Sequence, residues 1–168
     1  MTDLKTTYLG LSLKNPLVAS ASPLTQSVEA AQALEQAGIA ALVMHSLFEE
    51  EIIHESQELD HFLTYGMDIS AESPAHWPES ASFLLKPEAY IEKVTKIKKA
   101  VSIPVIASLN GVSSGGWTSY ARKMEAAGAD ALELNLYYLP TATSLAGTEL
   151  EEAYVKLVQD VRQSLMPL

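Results

Sequence analysis

No cysteine occurs in this chain of 168 residues. Disulfides, thiolate-bound iron–sulfur clusters and a thiol nucleophile are therefore excluded. Cations are scarce as well: 11 Lys and Arg stand against 21 Asp and Glu, a formal charge of −10. Binding to nucleic acid or to an anionic membrane needs a basic face, which this balance does not supply. No run of about 18 apolar residues offers a bilayer-spanning helix, and the mean hydropathy is near zero, at +0.08. The start, Met1-Thr2-Asp3-Leu4-Lys5, has neither the basic opening nor the apolar stretch of a signal peptide. The cytosol is the expected location. What the chain does have is 48% apolar residues, enough for one ordinary core.

A phrase that occurs twice organises the sequence. Leu34-Glu35-Gln36-Ala37-Gly38-Ile39-Ala40-Ala41-Leu42-Val43-Met44 is echoed by Met124-Glu125-Ala126-Ala127-Gly128-Ala129-Asp130-Ala131-Leu132-Glu133-Leu134. Each is a helix ending, a Gly where a left-handed residue is needed, and a short apolar strand. A second phrase, Val101-Ser102-Ile103-Pro104-Val105, leads from a helix into a strand and returns as Ser164-Leu165-Met166-Pro167-Leu168. That repetition suggests a chain ending at the first residue of a further strand, as a truncated product or fragment would.

Between these marks the pattern is regular. Residues 8–16 suggest a small hairpin around Gly10, and Leu17-Val18-Ala19-Ser20 a buried strand. A helix follows over about 27–37, then a strand at Ala41–Met44. Pro87 opens a second helix with Ile91, Val94 and Ile97 on one face. Ile103–Ser108 is a strand, and a third helix from about Gly116 carries Trp117, Ala121 and Met124 inward. Leu132–Asn135 is a strand, and Thr148 with Glu151 is expected to form the capping box of a last helix. Four strand–helix units imply a parallel sheet covered by helices, either doubly wound or part of a (β/α)8 barrel. Residues 47–86 interrupt the rhythm, and a connection that long over the C-terminal face of a barrel is expected to be functional.

Chemistry is sought at the C-terminal strand ends. Those positions hold Ser20 and Ser22, His45 and Ser46, Ser108 and Asn110, then Asn135, Tyr137 and Tyr138. Asn135 ends an otherwise apolar strand and needs a partner, whether protein or ligand. His54, Glu58 and His61 fall on one face of a helix, but no closed ligand set is visible and no metal is expected.

These strand ends and their neighbours carry a resemblance. Thr6-Thr7-Tyr8-Leu9-Gly10, Leu13-Lys14-Asn15-Pro16-Leu17, Ala19-Ser20-Ala21-Ser22, His45-Ser46-Leu47-Phe48-Glu49-Glu50, Ala107-Ser108-Leu109-Asn110-Gly111 and Glu133-Leu134-Asn135-Leu136 follow one another in an order that resembles the N-terminal half of the dihydroorotate dehydrogenase family, in its class 1-like group. The resemblance implies a single domain over 1–168 holding about the first four units of an FMN-binding (β/α)8 barrel. It implies an oxidoreductase acting on CH–CH groups in pyrimidine biosynthesis. Ser20, Ala21, His45, Ser46, Asn110 and Asn135 would bind FMN, His45 standing where the family carries a Lys. Tyr138 falls at the position of the family's Cys or Ser base. The partners implied are a small-molecule substrate and either a second copy or a C-terminal half-barrel. A second reading is a half-barrel that forms a homodimer and serves as a binding or structural module without redox activity; a third is a different phosphate-binding barrel enzyme, an isomerase or aldolase, with the lack of a Lys at any strand end arguing against Schiff-base chemistry.

Overall fold

The computed structural model describes residues 3–49, 87–111, 114–137, 141 and 145–165. The long connection, with His54, Glu58 and His61, therefore lies outside the described residues, and so does Tyr138.

An antiparallel ribbon of β1 (Thr6–Tyr8) and β2 (Leu11–Leu13) comes first. Leu9 and Gly10 both take positive φ, 52° and 79°, as a two-residue hairpin turn demands. Then β3 (Val18–Ala19), β4 (Ala41–Phe48), β5 (Val105–Asn110) and β6 (Ala131–Leu134) form a parallel sheet whose spatial order is the chain order. Helices α1 (Val28–Gln36), α2 (Pro87–Ala100) and α3 (Ser114–Ala126) connect them, and α4 (Gly147–Ser164) follows β6. This is an α/β fold made of four successive units of a (β/α)8 barrel. No helix among the described residues is long and apolar enough to cross a membrane.

The repeated phrase is one device used twice. At Gly38 and Gly128 φ is +101° and +94°. Each Gly N–H bonds back three residues, to Glu35 and Glu125, and the following residue bonds back five, to Leu34 and Met124. This double closure satisfies the last carbonyls of α1 and α3 and turns the chain into the next strand. After the second of these turns the Asp130 carboxylate accepts from the Val105 N–H (2.8 Å) and from Lys98 Nζ (2.6 Å), tying β6 to β5 and α2.

One face of the sheet meets the helices. Leu42, Met44, Leu47, Val105, Ala107 and Leu109 pack there against Ala31, Tyr90, Val94, Ile97, Trp117, Ala121 and Met124, all within a few per cent of complete burial. The inward set foreseen on α2 and α3 is thus in place. The start of α4 differs from the capping box expected at Thr148 and Glu151. Its N-cap is Ala146, whose N–H donates to the Glu149 carboxylate at 2.9 Å. Half a box suffices because an acidic side chain in the first turn also meets the positive end of the helix. Also, β4 runs four residues beyond Met44, because a bulge lets it continue.

Glu49, at the end of β4, is only 5% exposed and lies against Gly116 in the first turn of α3. A Cβ on Gly116 would fall inside that carboxylate. Gly116→Ala is therefore expected to lower stability by about 1–2 kcal/mol, the scale of losing a partly buried acid at a helix N-terminus. Urea denaturation checks this, and an unchanged midpoint would rule it out.

Candidate functional site

The inner face of the sheet changes character along the strands. Register sets Val43 beside Ile106 and Ile106 beside Ala131, an apolar layer; the next layer is Ser46, Ser108 and Glu133. Alternating strands bring one layer per two residues to the same face. In β4 the alternation is broken once. The two residues Met44 and His45 stand opposite Ala107 alone, a bulge between the pairs Val43–Ile106 and Ser46–Ser108. The extra residue resets the parity, so Ser46 enters the inner face and His45 joins Met44 on the helix side.

Tyr90 of α2 serves the bulge. Its hydroxyl donates to the Ser108 carbonyl and accepts from the Ser108 N–H, each at 3.1 Å. Residues 105 and 109 turn their carbonyls toward the β6 side, to Asp130 and Asn135. By alternation the backbone of Ser108 points toward β4, where the ladder resumes after the bulge. The phenol braces that junction, and burial, opposed by the bond to the Ser108 backbone and helped slightly by the Glu133 charge, raises its pKa far above the usual tyrosine value. The His45 ring lies beside it, with centroids 5.3 Å apart. Only 9% of His45 is exposed, and neither ring nitrogen has a hydrogen-bond partner among the described residues. Burial, with Lys93 nearby as a smaller cause, lowers its pKa to about 4.

Above the apolar layer, four side chains form a connected set. The Ser46 and Ser108 hydroxyls are 2.8 Å apart. Ser108 Oγ donates to Glu133 Oε1 at 2.7 Å, and Asn135 Nδ2 lies 3.2 Å from Ser46 Oγ and 3.0 Å from Ser108 Oγ. Ser46, Glu133 and Asn135, with Ser108 buried beneath them, form the floor of a hollow of about 340 Å³, lined also by Ser20, Ala21, Phe48, Asn110 and Tyr137. The hollow opens at the C-terminal ends of the strands, where α/β sheets place their ligands.

Of the residues expected at a site, Ser20, Ala21, Ser46, Asn110 and Asn135 thus come together, while His45 lies on the opposite face of the sheet. Sequence reasoning missed Glu133. The signal was available: Glu133 and Asn135 are two apart on a strand, hence on one face. A larger groove lies between α3 and α4, lined by residues such as Arg122, Lys123 and Asp160, on the outside of the helices.

The residues of the hollow do not fit the FMN expected from the resemblance. Ser46, expected at the flavin ring, and Asn135, expected at flavin or substrate, are engaged with Ser108 and with each other, His45 is turned away, and an acid, Glu133, faces inward. Among the described residues no lysine or arginine lines the hollow, so neither a flavin phosphate nor a Schiff base has a cation or amine to meet there.

No family model matches the chain. Among solved structures it is similar to a protein of Pseudomonas aeruginosa provisionally named a dihydrodipicolinate synthetase, with 14% identity and a TM-score of 0.50 over 89% of this chain and 42% of that one. A second is the dihydrodipicolinate synthase of Agrobacterium tumefaciens strain C58, with 18% identity and a TM-score of 0.47 over 89% of this chain and 41% of that one. The chain thus spans about two-fifths of the length of these barrels. The ordered strand-end motifs that resembled dihydroorotate dehydrogenase reflect the shared barrel and not its chemistry. The expectations of that family, of an FMN-dependent oxidoreductase of pyrimidine biosynthesis, and of FMN as cofactor are corrected accordingly; the likeness carries the fold, a partial (β/α)8 barrel.

Proposed function

We propose that the chain is a half-barrel binding module without redox activity, which holds a small polar molecule in the hollow above Ser46, Ser108, Glu133 and Asn135. The observation that carries this reading is that floor: four polar side chains from three neighbouring strands, connected by hydrogen bonds of 2.7–3.2 Å. A structural role alone would be served as well by apolar side chains, since a polar network at the mouth of a core yields little net stability.

A second copy completes the module. No described strand pairs with the outer edge of β3 or of β6, and an unpaired edge invites another strand. Large apolar side chains are exposed at both ends of the sheet. Leu17 and Leu24 are 62% and 68% exposed on the β3 side, and Val155 and Val158 of α4 are 57% and 43% exposed on the other. A two-fold axis would set β3 of each copy against β6 of its partner and cover both pairs. Light scattering is expected to give twice the 18.2 kDa of one chain, with Leu24→Asp shifting the protein to monomer. A single-chain mass at the highest soluble concentration would end the dimer reading.

A further inference from the structure

The geometry points to a protonated amine as the ligand of the hollow. This inference rests on the binding-module reading and deepens it, and it follows from counting hydrogens. An ionised Glu133 only accepts, so the single proton of Ser108 is committed to Glu133 Oε1 at 2.7 Å. Ser108 Oγ can then only accept from its other neighbours. The 2.8 Å contact between the hydroxyls therefore takes its proton from Ser46. Asn135 turns its Nδ2 group to both oxygens, at 3.2 and 3.0 Å. Reversing that amide would set Oδ1 against two oxygens with no proton left to give, so the network fixes its orientation. The chain of donation runs Ser46 to Ser108 to Glu133, and every donor in the floor is used.

What remains for a ligand is a set of acceptors: a lone pair on Ser46 Oγ, Asn135 Oδ1 and the second oxygen of Glu133. The walls hold Ser20, Asn110 and Tyr137, which can donate or accept, so it is the floor, with acceptors only and one carboxylate, that favours a ligand rich in donors over an anion. The single carboxylate matches a single positive charge. A divalent metal would meet one carboxylate among neutral oxygens, and among the described residues no group of three or more His, Cys, Asp or Glu side chains comes together. Phe48 and Tyr137 stand at the rim, where aromatic faces favour a cation and the apolar body of an organic amine. The net charge of −10 draws cations toward the protein.

The test compares three probes of one shape on the full chain: benzylammonium, benzyl alcohol and benzoate. Binding is read from the amide signals of Ser46, Phe48 and Asn135 by nitrogen-15 NMR. Benzylammonium is expected to bind about tenfold more tightly than benzyl alcohol, as one charge-assisted hydrogen bond implies, with benzoate weakest. In Glu133→Gln, kept in use only if its spectrum remains dispersed, that preference should vanish. The wild-type comparison stands without the variant. Benzyl alcohol or benzoate binding at these residues as tightly as benzylammonium would overturn the amine inference and leave the module reading in place. No response from any probe at the hollow would overturn both. Displacement of benzylammonium by millimolar calcium would assign the acceptors to a metal and likewise overturn the amine.

Discussion

Tyr90→Phe is expected to destabilise the protein by about 3 kcal/mol, more than the loss of one phenol hydroxyl would suggest. The hydroxyl makes two hydrogen bonds, and both go to the backbone of a single residue, Ser108, which is completely buried. Phenylalanine preserves the ring and its packing against Val94 and the sheet but takes one hydrogen bond from a buried N–H and another from a buried carbonyl. Each such loss at a buried group costs about 1–3 kcal/mol, because water cannot reach the site to replace the phenol. Two measurements check the expectation. The urea midpoint should fall at constant slope, and the Ser108 amide should exchange with solvent faster than its neighbours Ala107 and Leu109. A change under about 0.5 kcal/mol, within the range of an ordinary surface substitution, would show that the ladder closes without the phenol.

A second large effect is expected from acid. His45 has a folded-state pKa of about 4, below its ordinary value of 6.5, because burial disfavours the imidazolium and Lys93 adds a smaller repulsion. The unfolded chain therefore binds a proton between those values that the folded chain refuses. Stability rises with pH across that window, and the contribution of neutral His45 is lost as pH falls from 6.5 to about 4. The full interval corresponds to about 2–3 kcal/mol once relaxation of the site is allowed for. His45→Phe keeps an aromatic ring beside Tyr90, removes two unpartnered nitrogens and titrates nowhere. The variant should be more stable than the wild type at pH 4.5 by about 2–3 kcal/mol beyond any difference at pH 7.5. Carboxylates titrate equally in both proteins and cancel. If the two denaturation curves keep the same separation at both pH values, His45 does not carry the acid sensitivity.

Most of the architecture was legible because it is local. Gly38 and Gly128 each end a helix by a geometry that a Cβ would strain, and the apolar runs beyond them can only be short buried strands. The position of α4 was misjudged by two residues because Thr148 is the better capping side chain, yet Glu149 closes onto Ala146 and the helix begins there. What was not legible is the bulge. A single extra residue in β4 leaves no mark in composition or periodicity, and it decides that Ser46 faces the hollow while its neighbour His45 faces the helices. Adjacency in sequence had placed both at one site. Glu133 was overlooked for the converse reason: Leu132-Glu133-Leu134 shows only an acid within an apolar strand, and it is the register of β6 on β5 that brings it to Ser108. The motifs shared with a flavoprotein family were legible too, but they describe how strands end in a barrel, which many chemistries have in common.

The sheet order has a consequence for how the chain acquires its structure. Since β3, β4, β5 and β6 are neighbours in the order in which they occur, each new strand finds its partner already formed, and no strand must be inserted between two others. The structure can grow by accretion from the N-terminal end as the polypeptide leaves the ribosome, every added unit burying its helix on the one before. The hollow is completed only when Glu133 and Asn135 arrive with the fourth strand, and a nascent chain released before residue 135 would have part of the core but no floor to bind with.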